Sequence, residues 1–150
     1  MSLQAKVMEQ LKEAMKAKDT LALESLRAIK SAILLAQTES GGKHELAEEE
    51  EMKLLQKLVK QRKDSAALYR EQGREDLADP ELKQAAVIEQ FLPKQVNEEE
   101  IKEVVAGIVK QTGASGMKDM GKVMGLATKE LAGKADGKTI SNIVKQLLMS

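Results

Sequence analysis

The chain of 150 residues has no cysteine and no tryptophan, and its aromatic content ends with Tyr69 and Phe91. Without thiols there are no disulfides, thiol nucleophiles or thiolate metal sites. With so few aromatics the core has to be assembled from Leu, Ile, Val, Ala and Met. That favours helix packing over a β-sandwich, whose strands prefer branched and aromatic residues. The formal net charge is zero, so wholesale electrostatic attachment to nucleic acid or anionic membrane is excluded and any such binding has to come from a local patch. Long apolar runs are also missing. No segment approaches the roughly 18 uninterrupted apolar residues of a membrane helix, and Met1-Ser-Leu-Gln-Ala-Lys-Val-Met8 lacks the apolar core of a signal peptide. A soluble cytoplasmic protein with no membrane partner is expected. With 42% apolar and 32% charged residues, the chain has the material for a core and a solvated surface, which excludes disorder for most of its length.

The apolar residues recur at helical spacing. Leu3, Val7, Leu11, Ala14 and Met15 share one arc of a first helix over Ser2 to Lys16, with Ser2 as its cap. A second helix, from Asp19 or Thr20 to about Gln37, carries a wider apolar arc and is expected to touch more than one neighbour. Thr38-Glu-Ser-Gly-Gly-Lys-His44 reads as a loop. A long third helix follows, about Leu46 to Gln72, opened by the acidic turn Glu48 to Glu51 and closed by Gly73. The fourth spans Arg74 to Leu92. Pro80 is tolerated in a first turn and disruptive further in, so the main start is expected at Asp79, after an earlier turn from Glu75.

Leu92-Pro-Lys-Gln-Val-Asn97 combines a proline stop with a fresh cap, since Glu100 lies three residues after Asn97 in capping-box fashion. The expected organisation is therefore all-α: a four-helix part over residues 1–95, then a small three-helix domain over 96–150. Its helices are expected at Glu98 to Gln111, Gly116 to Leu131 and Lys138 to Met149. Fixed-period repeats and low-complexity tracts are absent.

Function is sought first near the end of the chain, where Lys118, Lys122, Lys129, Lys134 and Lys138 outnumber Asp119, Glu130 and Asp136. On a wheel of 3.6 residues per turn, Met117, Met120, Val123, Met124, Ala127 and Leu131 cluster on one side, and Lys118, Lys122 and Lys129 lie almost opposite. A solvated lysine face accounts for that pattern. Gly121 and Gly125 are harder to account for, because each mid-helix glycine costs roughly 1 kcal/mol relative to alanine and neither sits at the centre of the apolar arc. A groove flanked by ammonium groups would admit a phosphate backbone or another helix. Gly133-Lys-Ala-Asp-Gly-Lys138 adds a basic turn before a helix start, where unpaired N–H groups favour anions, but it lacks P-loop spacing.

The remaining signals are structural. His44 is a solitary loop histidine, and the run Glu48 to Glu51 is an ordinary acidic first turn. Arg62 falls near an apolar arc and needs an outlet or a carboxylate, with Glu81 and Asp76 in reach. No catalytic constellation, metal-ligand set or cofactor site is present in the sequence.

Taken together, Lys60-Gln-Arg-Lys-Asp-Ser65, Tyr69, Gly73-Arg-Glu-Asp-Leu77 with Glu81, Phe91-Leu-Pro-Lys-Gln95, Asp119-Met-Gly-Lys-Val-Met-Gly125 and Gly133-Lys-Ala-Asp-Gly137 closely resemble the free-standing YqeY proteins. These are relatives of the tail domain of GatB, the B subunit of glutamine-dependent Asp/Glu-tRNA amidotransferase. The likeness covers essentially the whole chain. Pro80 departs from the family's pattern, in which that stretch runs on in helix. The resemblance implies a module that recognises tRNA or assists an amidotransferase without performing the chemistry. Joined to the lysine and glycine pattern, it gives the leading expectation, an accessory RNA-binding module in which Lys118, Lys122, Lys129, Lys134 and Lys138 contact phosphate and Gly121 and Gly125 permit close approach. It leaves open a module docking on an amidotransferase or an aminoacyl-tRNA synthetase. By family association alone, it also leaves open a carbon–nitrogen ligase subunit using glutamine as amido donor.

Overall fold

In the computed structural model, which describes residues 2–39, 41 and 45–149, every regular element is helical. Seven α-helices and one 3-10 turn follow in order: α1 (Leu3–Ala17), α2 (Thr20–Glu39), α3 (Glu48–Glu71), α4 (Glu75–Glu89), α5 (Glu98–Thr112), the 3-10 turn (Met117–Asp119), α6 (Met120–Glu130) and α7 (Gly137–Met149). The chain divides into two compact units, Met1–Leu92 and Pro93–Ser150. The all-α class and the four-plus-three arrangement read from the sequence are those of the structure. His44 lies outside the described residues.

The first unit begins where Ser2 Oγ accepts from the Ala5 N–H at 3.1 Å. α1 ends on Lys18, which is forced into the left-handed region at φ 55°. Asp19 then caps α2, its Oδ1 accepting from the Ala22 N–H at 3.1 Å. Leu26, Ile29 and Ile33 of α2 pack with Val7 and Leu11 of α1, Leu55 and Val59 of α3, and Ala85 and Ile88 of α4 in one buried cluster. Contact with all three neighbours explains the wide apolar arc of α2. Ser25 is wholly buried within this helix; its hydroxyl donates to the Leu21 carbonyl at 2.9 Å, so the burial leaves no unmet donor.

α4 corrects one expectation. The helix starts at Glu75, not Asp79, and continues past Pro80. Proline there removes the bond its own N–H would have made to the Asp76 carbonyl and crowds that carbonyl with its ring. The first turn is secured by Arg74, whose carbonyl accepts from the Leu77 and Ala78 N–H groups, and by Ala78, which is completely buried. Burial of Ala78 and the intact first-turn backbone bonds outweigh the local penalty.

Arg62 is a second correction. Its Nε donates to Gln84 Oε1 at 3.2 Å and its Nη1 to the Leu58 carbonyl at 3.1 Å. Gln84 in turn donates to Glu24 Oε2 at 3.2 Å. Neither Glu81 nor Asp76 is its partner. The α3–α4 hairpin brings an amide opposite the guanidinium, and Asp76 is held by Arg74 through two bonds of 3.0 and 2.9 Å.

Candidate nucleic-acid interface

The second unit is built around Ile101, Val105 and Ile108 of α5, Val123 and Ala127 of α6, and Ile140, Ile143, Val144 and Leu148 of α7. Asn97 opens α5, with Oδ1 accepting from the Glu100 N–H at 2.9 Å as the capping box requires. α5 stops at Gly113, which takes φ 65°, a conformation that L side chains rarely adopt.

Between α5 and α6 the expected single helix from Gly116 is broken. Gly116 has φ 72°, Met117–Asp119 form the 3-10 turn, and only from Met120 does the chain become α-helical. The Asp119 carboxylate explains the break, because its Oδ2 accepts from the Ser115 N–H at 2.9 Å and ties the loop to the helix start. Asp119 is therefore engaged with backbone and does not pair with Lys118.

After α6, Leu131 and Ala135 turn into the core and the intervening backbone is pinned. Gln95 Nε2 donates to the Gly133 carbonyl at 2.7 Å, and the Val96 N–H donates to the Lys134 carbonyl at 3.0 Å. Gly133 itself is buried with φ 74°. The Gly133-Lys-Ala-Asp-Gly137 segment is thus a docking turn for the segment that leads into α5. Asp136 accepts from the Ile140 N–H through its main-chain carbonyl at 3.1 Å, placing a carboxylate at the start of α7 where the helix dipole favours negative charge. The anion preference of that helix end is met partly from within the chain, with Lys134 and Lys138 on either side of it.

All five lysines singled out from the sequence are solvent-exposed. They fall into two groups: Lys118, Lys122 and Lys129 along the 3-10 turn and α6, and Lys134 with Lys138 at the turn into α7. The ion pairs formed among the described residues, Lys53–Glu49, Lys60–Asp64, Lys63–Glu89, Arg70–Glu75 and Arg74–Asp76, all lie in the first unit. Among the described residues, the lysines of the second unit have no ion-pair partner. Gly121 and Gly125 are exposed on α6, and a methyl group added to either would meet nothing within 4 Å. Internal packing therefore does not require these glycines.

The solvent side of α7 carries a further row outside the glycine-lysine motif. Lys138, Asn142, Lys145 and Gln146 are exposed at helical spacing, opposite buried Ile140, Ile143, Val144 and Leu148. The row contains donors and no carboxylate, and the α7 wheel alone would have revealed it.

The acidic turn Glu48 to Glu51 occupies the first turn of α3. Partial burial, with Glu48 and Glu45 nearby, pushes the Glu51 carboxyl above its ordinary value, against the opposing pull of Lys6. Among the described residues no three His, Cys, Asp or Glu side chains gather as a metal site, and no helix is long and apolar enough to cross a membrane.

These features define an all-α protein of two helical units, the second presenting on its surface lysines without ion-pair partners among the described residues and glycines open to solvent. The chain belongs to the YqeY family: the family model described as Yqey-like protein matches residues 4–148. It is also similar to altered inheritance of mitochondria protein 41, a mitochondrial protein of Clavispora lusitaniae, with 35% identity over 107 residues, 70% of this chain and 61% of the relative. The match thus spans less than two thirds of that relative's length.

Proposed function

We infer that the second unit is a non-catalytic RNA-binding module that grips the phosphate backbone of tRNA in support of tRNA-dependent amidotransferase function. The observation that carries this reading is the set Lys118, Lys122, Lys129, Lys134 and Lys138, exposed and without ion-pair partners among the described residues, beside glycines that packing does not need. Backbone ammonium contacts position a protein on RNA without reading bases. The second unit contains no aromatic residue, so stacking on unpaired bases is not its means of recognition, and folded RNA is recognised by shape and phosphate. Asn142, Lys145 and Gln146 of α7 extend the donors available to sugar and phosphate. The reading suits any compartment that holds tRNA, whether the cytoplasm expected from the sequence or the organelle in the relative's name.

The test is tRNA binding by the full chain carrying Lys118→Glu, Lys122→Glu and Lys134→Glu. All three side chains are exposed, so the fold is expected to survive, which circular dichroism checks. Loss of at least a hundredfold in affinity supports the reading; unchanged affinity removes it. A partner synthetase or amidotransferase retained after nuclease treatment, with no tRNA binding by the chain itself, would instead favour protein docking.

A further inference from the structure

A cavity of about 210 Å³ opens between α1 and α2, lined by Gln4, Val7, Met8, Lys30, Ile33 and Leu34. Its floor is the buried pair Val7 and Ile33, and its rim is Met8 and Leu34, which are 41% and 52% exposed. The rim continues along both helices. One turn beyond Met8 come Lys12 and then Met15, itself 54% exposed, and one turn before Lys30 on α2 comes exposed Arg27. The charged positions in line with the cavity are thus Lys12, Arg27 and Lys30, and none has an ion-pair partner among the described residues. Of the nearby acids, Glu24 is bonded to Gln84, Glu13 falls about 140° around α1 from Met8, and Glu9, one turn before Lys12, forms no ion pair with it among the described residues.

Size and charge select the occupant. At about 210 Å³ the cavity is smaller than the ~300–1,000 Å³ typical of small-molecule sites, and it suits one bulky apolar side chain. A flat lipid surface would leave such a hollow unfilled. Methionines at the rim can repack around an inserted group, and the flanking cations ask for carboxylates. We propose that the α1–α2 groove binds an acidic amphipathic helix of a partner protein, with one large apolar anchor seated on Val7 and Ile33 and carboxylates facing Lys12, Arg27 and Lys30. This is helix-in-groove recognition, read as anchors at i, i+3 or i+4, and i+7.

Selection of random 16-residue displayed peptides against the full chain tests the proposal. Enriched peptides are expected to combine that apolar spacing with Asp or Glu. Synthetic versions are expected to lose at least tenfold in affinity on Met8→Glu, Leu34→Glu or Lys30→Glu, all substitutions at exposed positions. The same variants are expected to keep wild-type tRNA binding, so this groove and the lysine face fail or succeed separately. Enrichment without acidic residues or helical spacing, or affinity indifferent to the three substitutions, overturns the proposal. So does a result in which no peptide is enriched while phosphatidylserine vesicles bind wild type and not the variants, which would make the face a membrane contact.

Discussion

Replacing Gly121 and Gly125 together by alanine should make the protein more stable and a poorer RNA binder. Both glycines lie inside α6, and an added methyl meets nothing within 4 Å at either position. Gly125, in the helix interior, gains the full difference in helix propensity on substitution, roughly 1 kcal/mol, and Gly121, the second residue of α6, gains a smaller amount, both without a clash. For a unit the size of residues 93–150, about 1–1.5 kcal/mol raises the melting temperature by roughly 4–12 °C. Hydrogen exchange along α6, with a thermal melt followed at the Val123 and Val144 methyls, reports that change in the second unit alone. On the RNA side, two methyl groups standing beside the lysines hold a phosphate backbone away from the helix. Losing one charge-assisted hydrogen bond, about 1.5–3 kcal/mol, weakens tRNA binding about tenfold or more. A rise in stability with undiminished tRNA affinity would refute the close-approach role of the glycines. A fall in stability would refute the open-space geometry itself.

Two further expectations concern the first unit. Lys18 is the described non-glycine residue with positive φ, at 55°; Lys18→Gly relieves that conformation and is expected to raise stability by somewhat less than ~1 kcal/mol once the added freedom of the unfolded chain is counted, measured by urea unfolding. For Glu51, the folded-state pKa is raised from 4.5, chiefly by burial, so the folded chain holds this proton more tightly than the unfolded chain. Its contribution to stability therefore declines as pH rises from about 4.5 through the raised value. Glu51→Gln should be more stable than wild type at pH 7, with the difference vanishing in acid; a Gln variant that is less stable at pH 7 would contradict the sign.

The helices were legible because their apolar residues repeat at helical spacing and their caps are local, as with Ser2 and Asn97, whose side chains accept the expected N–H bonds. What escaped the sequence depends on distant packing. The start of α4 was set by buried Ala78 and the Arg74 carbonyl, which a rule about proline and its immediate neighbours does not contain. The partner of Arg62 is an amide brought across by the α3–α4 hairpin, and charge alone pointed to carboxylates. The break before α6 came from Asp119 capturing the Ser115 N–H, a bond invisible to periodicity. Within the candidate site, the exposure of the five lysines followed from the α6 wheel and the turn chemistry. The α7 row lies beyond Lys138, where the glycine-lysine motif ends, and shows only on the wheel of α7. The freedom of the lysines from ion pairs required the three-dimensional arrangement.

The central claim is that the second unit holds tRNA through phosphate contacts from its free lysines, and the most direct measurement is the salt dependence of tRNA affinity for the full chain. Five lysine contacts predict a plot of log K against log salt with a slope of about −4, falling by nearly one for each contacting lysine changed to alanine. A slope near zero, or one that the substitutions leave unchanged, would contradict it.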